Sequence, residues 1–180
     1  MYYQIIKANK EEIGLVWQFV CARPQVEYIY LPCPIEPLKD KIIKDFPEVK
    51  KEARRIPGDI AQQIAQLYSG SKINFDHSLL NFAKLTKFSA LVLKQTGKIP
   101  QGKVDTYSGL AAKIGSPGAA RAVGTVLANN PFPIAIPCHR VVRSDGSLGG
   151  FGGGILMKKE LLNKEGVMLD KKNRVAAKWF

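Results

Sequence analysis

The stretch IPCHRVV, residues 136 to 142, sets a cysteine and a histidine side by side, Cys138 and His139. A thiol next to an imidazole is the composition of an activated nucleophile: the base takes the thiol proton and the thiolate attacks. A thiol with an ordinary pKa of about 8.5 is mostly protonated at neutral pH, so a hydrogen-bonded imidazole is worth having. Adjacent side chains on extended backbone point to opposite faces, however. His139 can therefore serve Cys138 only through a turn or a bridging water, with a further group orienting the ring. The last hundred residues hold five acidic candidates for that group, Asp105, Asp145, Glu160, Glu165 and Asp170. Glu165, at the end of an expected helix, is the best placed by economy, but spacing alone does not choose among the five.

The other two cysteines, Cys21 and Cys33, read as small buried or half-buried hydrophobes. Three cysteines are an odd number in a chain of 180 residues, which fits a reducing compartment better than a disulfide scaffold. Cys21, Cys33 and His77 match no compact zinc finger and lack an obvious fourth ligand, so no metal is expected. The beginning, MYYQIIKANKEE, has no secretory pattern, and no run reaches membrane-spanning length. The expectation is a soluble chain with no membrane contact, cytoplasmic, or nuclear in a eukaryote.

The elements that must carry the dipeptide fall into two parts, residues 1 to 80 and residues 81 to 180. In the first, Tyr3 and Ile5, then Ile13, Leu15, Trp17 and Phe19, then Val26, Tyr28 and Tyr30 alternate as short, antiparallel strands. Two helical stretches follow, started by Pro37 and Pro57, with Gly70 closing the second. This is an α+β unit without a catalytic constellation. In the second part, a helix from Thr86 presents Phe88, Leu91, Val92 and Gln95 at helical intervals. Two short helices come next, Ser108 to Ile114 and Pro117 to Ala128, around a turn at Gly115, with Ala111 small enough for close packing. That is a helix-turn-helix outline. On its second helix Ala119, Ala120, Val123, Val126 and Leu127 are small or apolar, and Arg121 is the sole charge. The run GGFGGG does not fit a dinucleotide fingerprint and reads as a loop that lets backbone pass close to a ligand. A helix from Leu156 to Lys164, closed by Gly166, precedes a basic tail expected to be weakly ordered.

Charge separates the two parts more sharply than pattern does. Residues 1 to 80 hold 11 Lys and Arg against 10 Asp and Glu, whereas residues 81 to 180 hold 16 against 5, a net of +11 out of the chain's +12. A basic surface on a helical unit is a candidate polyanion face, because phosphates reward Lys and Arg through counterion release.

From Phe88 to Val167 the chain resembles the O6-alkylguanine-DNA alkyltransferases, also called methylated-DNA–protein-cysteine methyltransferases. The stretches that carry the resemblance are IPQGKVDTYSGLA, GAARAVGTVLANNPFPIAIPCHRVV, GSLGGFGGG and KKELLNKEGV. It implies an α+β fold with an N-terminal small antiparallel sheet and helices, ribonuclease H-like. The C-terminal domain would be mainly helical, with a helix-turn-helix, winged-helix-like. It also implies that Cys138 accepts the alkyl group, His139 acts through a water as its base, Glu165 holds the other imidazole nitrogen, Tyr107 donates to the departing guanine and Asn130 braces the turn. Arg121 would enter the base stack from the minor groove, with Ser108, Ala120 and Gly124 at the DNA surface. Pro133 and Phe151, Gly152 and the carbonyls of Cys138 and Val141 would line the pocket. Many relatives have Tyr-Ser where this chain has Phe151-Gly152, which removes two hydroxyl donors. The implied partner is double-stranded DNA containing O6-alkylguanine, bound by a monomer in one irreversible, cofactor-free turnover.

Three other readings are compatible with parts of the pattern: a lesion sensor that binds without transferring, a helix-turn-helix regulator with Cys138 and His139 in its core, and a Cys-His hydrolase. The sensor reading is opposed by Cys138 itself, and the hydrolase needs an oxyanion hole and turnover.

Overall fold

The structure, a computed structural model, describes residues 1–50 and 53–180. By packing, the chain divides into two compact units, Met1–Asn81 with Pro131–Ala135, and Phe82–Asn130 with Ile136–Phe180. The class is α+β, as expected.

In the first unit three strands, β1 (Tyr2–Ala8), β2 (Glu11–Val20) and β3 (Arg23–Tyr30), form an antiparallel sheet with β2 in the middle. On β1 the buried residues are Tyr3, Ile6 and Ala8, with Ile5 half-buried, and on β3 they are Val26, Glu27, Ile29 and Tyr30, with Tyr28 half-buried, so the expected alternation fails on both. β2 is buried on both faces over Ile13, Leu15, Val16 and Trp17, while Phe19 at its far end is exposed, so the expected alternation fails on the central strand. The reason is that helices α1 (Leu38–Asp45) and α2 (Ile60–Tyr68) both pack onto the sheet. Gly14 lets α1 approach closely: a Cβ there would stand 2.8 Å from Ile42 Cδ1 and 3.2 Å from Tyr30 Cβ. Val16, Tyr30, Leu38 and Ile42 close one core cluster with Tyr3 and Val49. Cys21 is exposed at the β2–β3 hairpin and Cys33 is half-buried, which corrects the buried reading for Cys21. Two consecutive left-handed residues, Cys21 and Ala22, turn the hairpin there and leave the side chain outside.

The second unit contains four helices: α3 (Lys87–Thr96), α4 (Tyr107–Lys113), α5 (Ala120–Ala128) and α6 (Gly154–Lys164). Thr86 caps α3, accepting from Ser89 N–H at 3.1 Å. The buried side of α3 is Val92, Leu93 and Thr96, and Leu91 is 48% exposed. The expected face is thus rotated by one position, and α3 packs on α4 and α5. Helices α4 and α5 pack on each other, with Ala111 fully buried and Gly115 in the left-handed region in the turn between them. The tail is ordered by contacts, contrary to expectation: Val175 is buried beside Val142 and Leu148, and its N–H donates to Gly146 carbonyl at 2.9 Å. Among the described residues no helix is long and apolar enough to cross a membrane.

Candidate active site

Residues Cys138–Arg140 form a single 3₁₀ turn after Pro137, so the dipeptide does not lie on extended backbone. The turn lets three consecutive side chains diverge around one axis instead of alternating across a sheet. It leads into β5 (Val141–Val142), which pairs in parallel with β4 (Asp105–Thr106). β4 runs directly into α4, where the Thr106 hydroxyl accepts from Gly109 N–H at 2.8 Å. This two-residue ladder is what registers Tyr107, the first residue of α4, against the cysteine turn. Asn130 fixes the turn from the other side: its Nδ2 donates to Ile136 carbonyl at 3.0 Å and to Cys138 Sγ at 3.3 Å.

Cys138, 8% exposed, lines a pocket of about 860 Å³. The other walls are Tyr107 and Ser108 of α4, Ala120, Arg121, Gly124, Leu127 and Ala128 of α5, and Gly150, Phe151 and Gly152 of the glycine-rich loop. Arg143 and Ser144 complete it. Arg121 is exposed at this pocket, at the start of α5. The loop passes tightly over Tyr107: Gly149 is left-handed, and a Cβ on it would stand 2.8 Å from Tyr107 Oη.

Behind the pocket the charges are buried. His139, 2% exposed, meets Glu165 Oε1 through Nε2 at 2.9 Å. A ring nitrogen facing a carboxylate carries the proton, so the neutral ring keeps its lone pair on Nδ1. Nδ1 is buried and has no hydrogen-bond partner among the described residues. Burial pushes the His139 pKa down and outweighs the upward pull of the Glu165 hydrogen bond and charge, so the neutral ring prevails. Burial disfavours ionised Glu165, but hydrogen bonds from His139 and Arg140 together with their charges win and hold it at about 2. Burial also raises the Cys138 thiol, opposed by the Asn130 hydrogen bond and by the Lys158 charge. Burial raises Tyr107 too, as does the neighbouring cysteine, so it stays a phenol that can donate. The resting pair is therefore a thiol and a neutral imidazole.

Homologous sequences and folds agree on one family. Residues 87–167 match the family model of the 6-O-methylguanine DNA methyltransferase, DNA binding domain. A methylated-DNA–protein-cysteine methyltransferase of Methanothermobacter thermautotrophicus is 43% identical over 111 residues, and the chain spans 62% of that relative's length. One of Methanosarcina barkeri is 38% identical over 128 residues, covering 71% of this chain and 80% of the relative. The chain belongs to the methylated-DNA–protein-cysteine methyltransferase family. In fold it is similar to Mycobacterium tuberculosis OGT solved in complex with DNA, with a TM-score of 0.75 and 30% identity over 92% of this chain and 93% of that one.

Within this methyltransferase family member the structure brings Cys138, Tyr107, Ser108, Ala120, Arg121, Gly124, Phe151 and Gly152 to one pocket, and His139, Glu165 and Asn130 to its rear. Pro133 and Val141 are not among the residues that line this pocket. Pro133 lies in the segment 131–135, which packs with the first unit: Pro131 carbonyl accepts from Ile29 N–H at 2.8 Å and Ile134 is left-handed. Val141 is fully buried off the pocket wall, and its carbonyl already accepts from Lys158 Nζ at 2.6 Å. Cys21, Cys33 and His77 do not converge, and no group of metal-ligating side chains occurs among the described residues.

Sequence reasoning passed over Lys158 and Arg140. Lys158 is 0% exposed and donates to the carbonyls of Val141, Leu148 and, at 3.4 Å, Gly150, tying β5 to the glycine-rich loop. Burial brings its pKa down to about 8. A signal was present: Lys158 shares a helical face with Leu161, Leu162 and Glu165, a spacing that turns a lysine inward.

Proposed function

We propose that the protein repairs DNA by transferring the alkyl group of O6-alkylguanine irreversibly to Cys138. The observation that carries this reading is the placement of one thiol at the floor of a pocket whose rear holds a buried His–Glu pair and whose rim carries Arg121 on a helix-turn-helix. The family membership and the DNA complex of the Mycobacterium tuberculosis relative support it.

His139 Nδ1 takes the thiol proton, through a bridging water, while Glu165 accepts the hydrogen bond from Nε2 and steadies the imidazolium that forms. The thiolate attacks the alkyl carbon in line with O6. The S–C bond forms, the C–O bond breaks and its electron pair leaves on guanine. Tyr107 donates a hydrogen bond or proton to the departing base, and the proton held by His139 restores the balance. The product is guanine in DNA and a thioether on Cys138, which has no thiol left to regenerate, so each molecule acts once and needs no cofactor. Phe151 packs as an apolar wall. Backbone N–H groups of the glycine-rich loop serve in place of the hydroxyls that Tyr-Ser would bring.

A base inside a duplex cannot reach the thiol, so the nucleotide is flipped into the pocket and α5 enters the minor groove with Arg121 filling the gap. Gly124, Ala120 and Ser108 are small and let backbone approach. The net of +11 on residues 81 to 180 supplies the electrostatic attraction to duplex DNA, bound by a monomer. Incubation with duplex DNA containing O6-methylguanine, followed by intact mass and peptide mapping, tests this: the expected result is one added CH₂ on Cys138 and no turnover. A stable complex with unchanged mass identifies a non-transferring sensor instead, and mass on another residue refutes the assignment.

A further inference from the structure

The turn that presents Cys138 and His139 presents a third side chain, and the transfer reaction just described has given it no work. Arg140 is buried, with its guanidinium forked onto one carboxylate: Nε donates to Glu165 Oε2 at 2.8 Å and Nη2 to Glu165 Oε1 at 2.7 Å. Nη1 donates to Ile99 carbonyl at 2.6 Å. Glu165 Oε1 is therefore shared between Arg140 and His139 Nε2. A two-point guanidinium–carboxylate bond fixes orientation as well as charge.

We propose that Arg140 is a positioning residue for this reaction: by holding both oxygens of Glu165 it keeps the carboxylate ionised and aimed at His139 Nε2, so that His139 Nδ1 stays unprotonated and available as the base. A buried carboxylate without a cation either takes up a proton, and then no longer orients the ring, or draws a proton onto the imidazole, which then cannot accept one from the thiol. Arg140 prevents both outcomes because it cancels the charge of Glu165 without competing for the imidazole proton. The groups that face His139 are few. Glu165 and Lys158 come from α6 and its end, Cys138 and Arg140 from its own turn. Tyr107 from α4 and Arg143 after β5 act on Cys138, Tyr107 or Lys158. The Phe151 ring meets the imidazole edge-on at 6.3 Å between centroids and carries no charge. Of the cations, Arg140 touches the partner of His139 at 2.7 Å.

The inference rests on the alkyl-transfer reading, and the test separates the two. Transfer is measured as the pH dependence of the rate with free O6-benzylguanine, which removes DNA binding from the comparison. His139 protonation is followed by NMR, with His77→Gln used to assign the two histidines. In Arg140→Met the His139 midpoint rises by about one pH unit and the acid limb of the rate profile moves with it, about tenfold in rate at the acid end. Arg140→Lys keeps the charge but loses the fork: its midpoint stays near wild type and its rate falls at all pH values. A uniform loss in Arg140→Met with an unmoved His139 midpoint overturns the proposal, as does a Lys variant displaced as far as the Met variant. If Arg140→Met does not fold, the Lys variant and its midpoint decide alone. If the wild type transfers nothing, the reaction assigned above fails, while the NMR midpoints still read the effect of Arg140 on His139.

Discussion

The two units bury different things. In the first, the interior is aliphatic and aromatic, and among the described residues Glu27 is its one buried charged side chain, met by Gln18 and Asn81. In the second, Asp105, His139, Arg140 and Lys158 are all buried, and the last three lie in or against the cysteine turn. Removing a charge from water is costly unless it is paired or fully hydrogen-bonded. A chain that accepts this cost repeatedly in one unit, and at one turn of it, marks that turn as a candidate functional site. The first unit teaches the converse: a well-packed sheet can be read for stability without reference to chemistry.

The largest test of this contrast pairs two substitutions. Cys138→Ala abolishes alkyl transfer while leaving the fold and DNA binding in place. Leu15→Ala, in the sheet, costs about 2–5 kcal/mol of stability yet leaves the rate of the folded protein unchanged. Denaturant melts and single-turnover rates on both variants check it, and a folded Leu15→Ala protein with impaired transfer breaks the division of labour.

Arg121→Ala comes next in size. Stabilising an extruded nucleotide is worth a few kcal/mol, so transfer from duplex DNA slows by on the order of 10²-fold, while reaction with the free modified base is nearly unaffected. Equal loss on both substrates removes Arg121 from the flipping step.

Acid titration sharpens the comparison further. Glu165 is held at about 2 in the folded chain, whereas an unfolded glutamate titrates near 4.3. The folded state thus binds fewer protons across that window, and stability is lost as pH falls through it, by on the order of 3 kcal/mol in all. His139, pushed below its ordinary value of about 6.5 by burial, acts in the same direction at higher pH: the unfolded ring gains a proton that the folded ring refuses. Stability measured from pH 7 to pH 3 therefore declines, and Glu165→Gln flattens the lower part of the decline. A curve unaltered by that substitution means that the buried carboxylate does not govern acid unfolding.

The smallest expected effect is on the spent protein. An alkyl group on Sγ displaces the Asn130 amide that donates to it at 3.3 Å, and crowding of a packed site costs about 1–3 kcal/mol. The melting temperature of mass-verified methylated protein falls by several degrees and that of benzylated protein by more. An unchanged midpoint shows that the pocket takes the group freely.

Much of this was legible in the residues. The strands of the first unit, the helix that begins at Thr86, the helix-turn-helix around Gly115 and the charge asymmetry follow from local pattern, because periodicity and turn chemistry act between near neighbours. The residue types of the site were legible for the same reason: a Cys-His pair and a short list of carboxylates define what chemistry is available. Local pattern could not choose Glu165 over Asp145, nor see that the Val141 carbonyl is occupied by Lys158 or that Pro133 packs with the other unit. It misjudged the face of α3 by one position. Each of these depends on partners distant along the chain: Glu165 lies 26 residues from His139 and Lys158 lies 17 from Val141. The sequence by itself determined the candidate nucleophile, the candidate base and the basic half. Only the tertiary structure decided which buried charges face each other, because the energy of a buried charge depends on distances that no spacing along the chain contains.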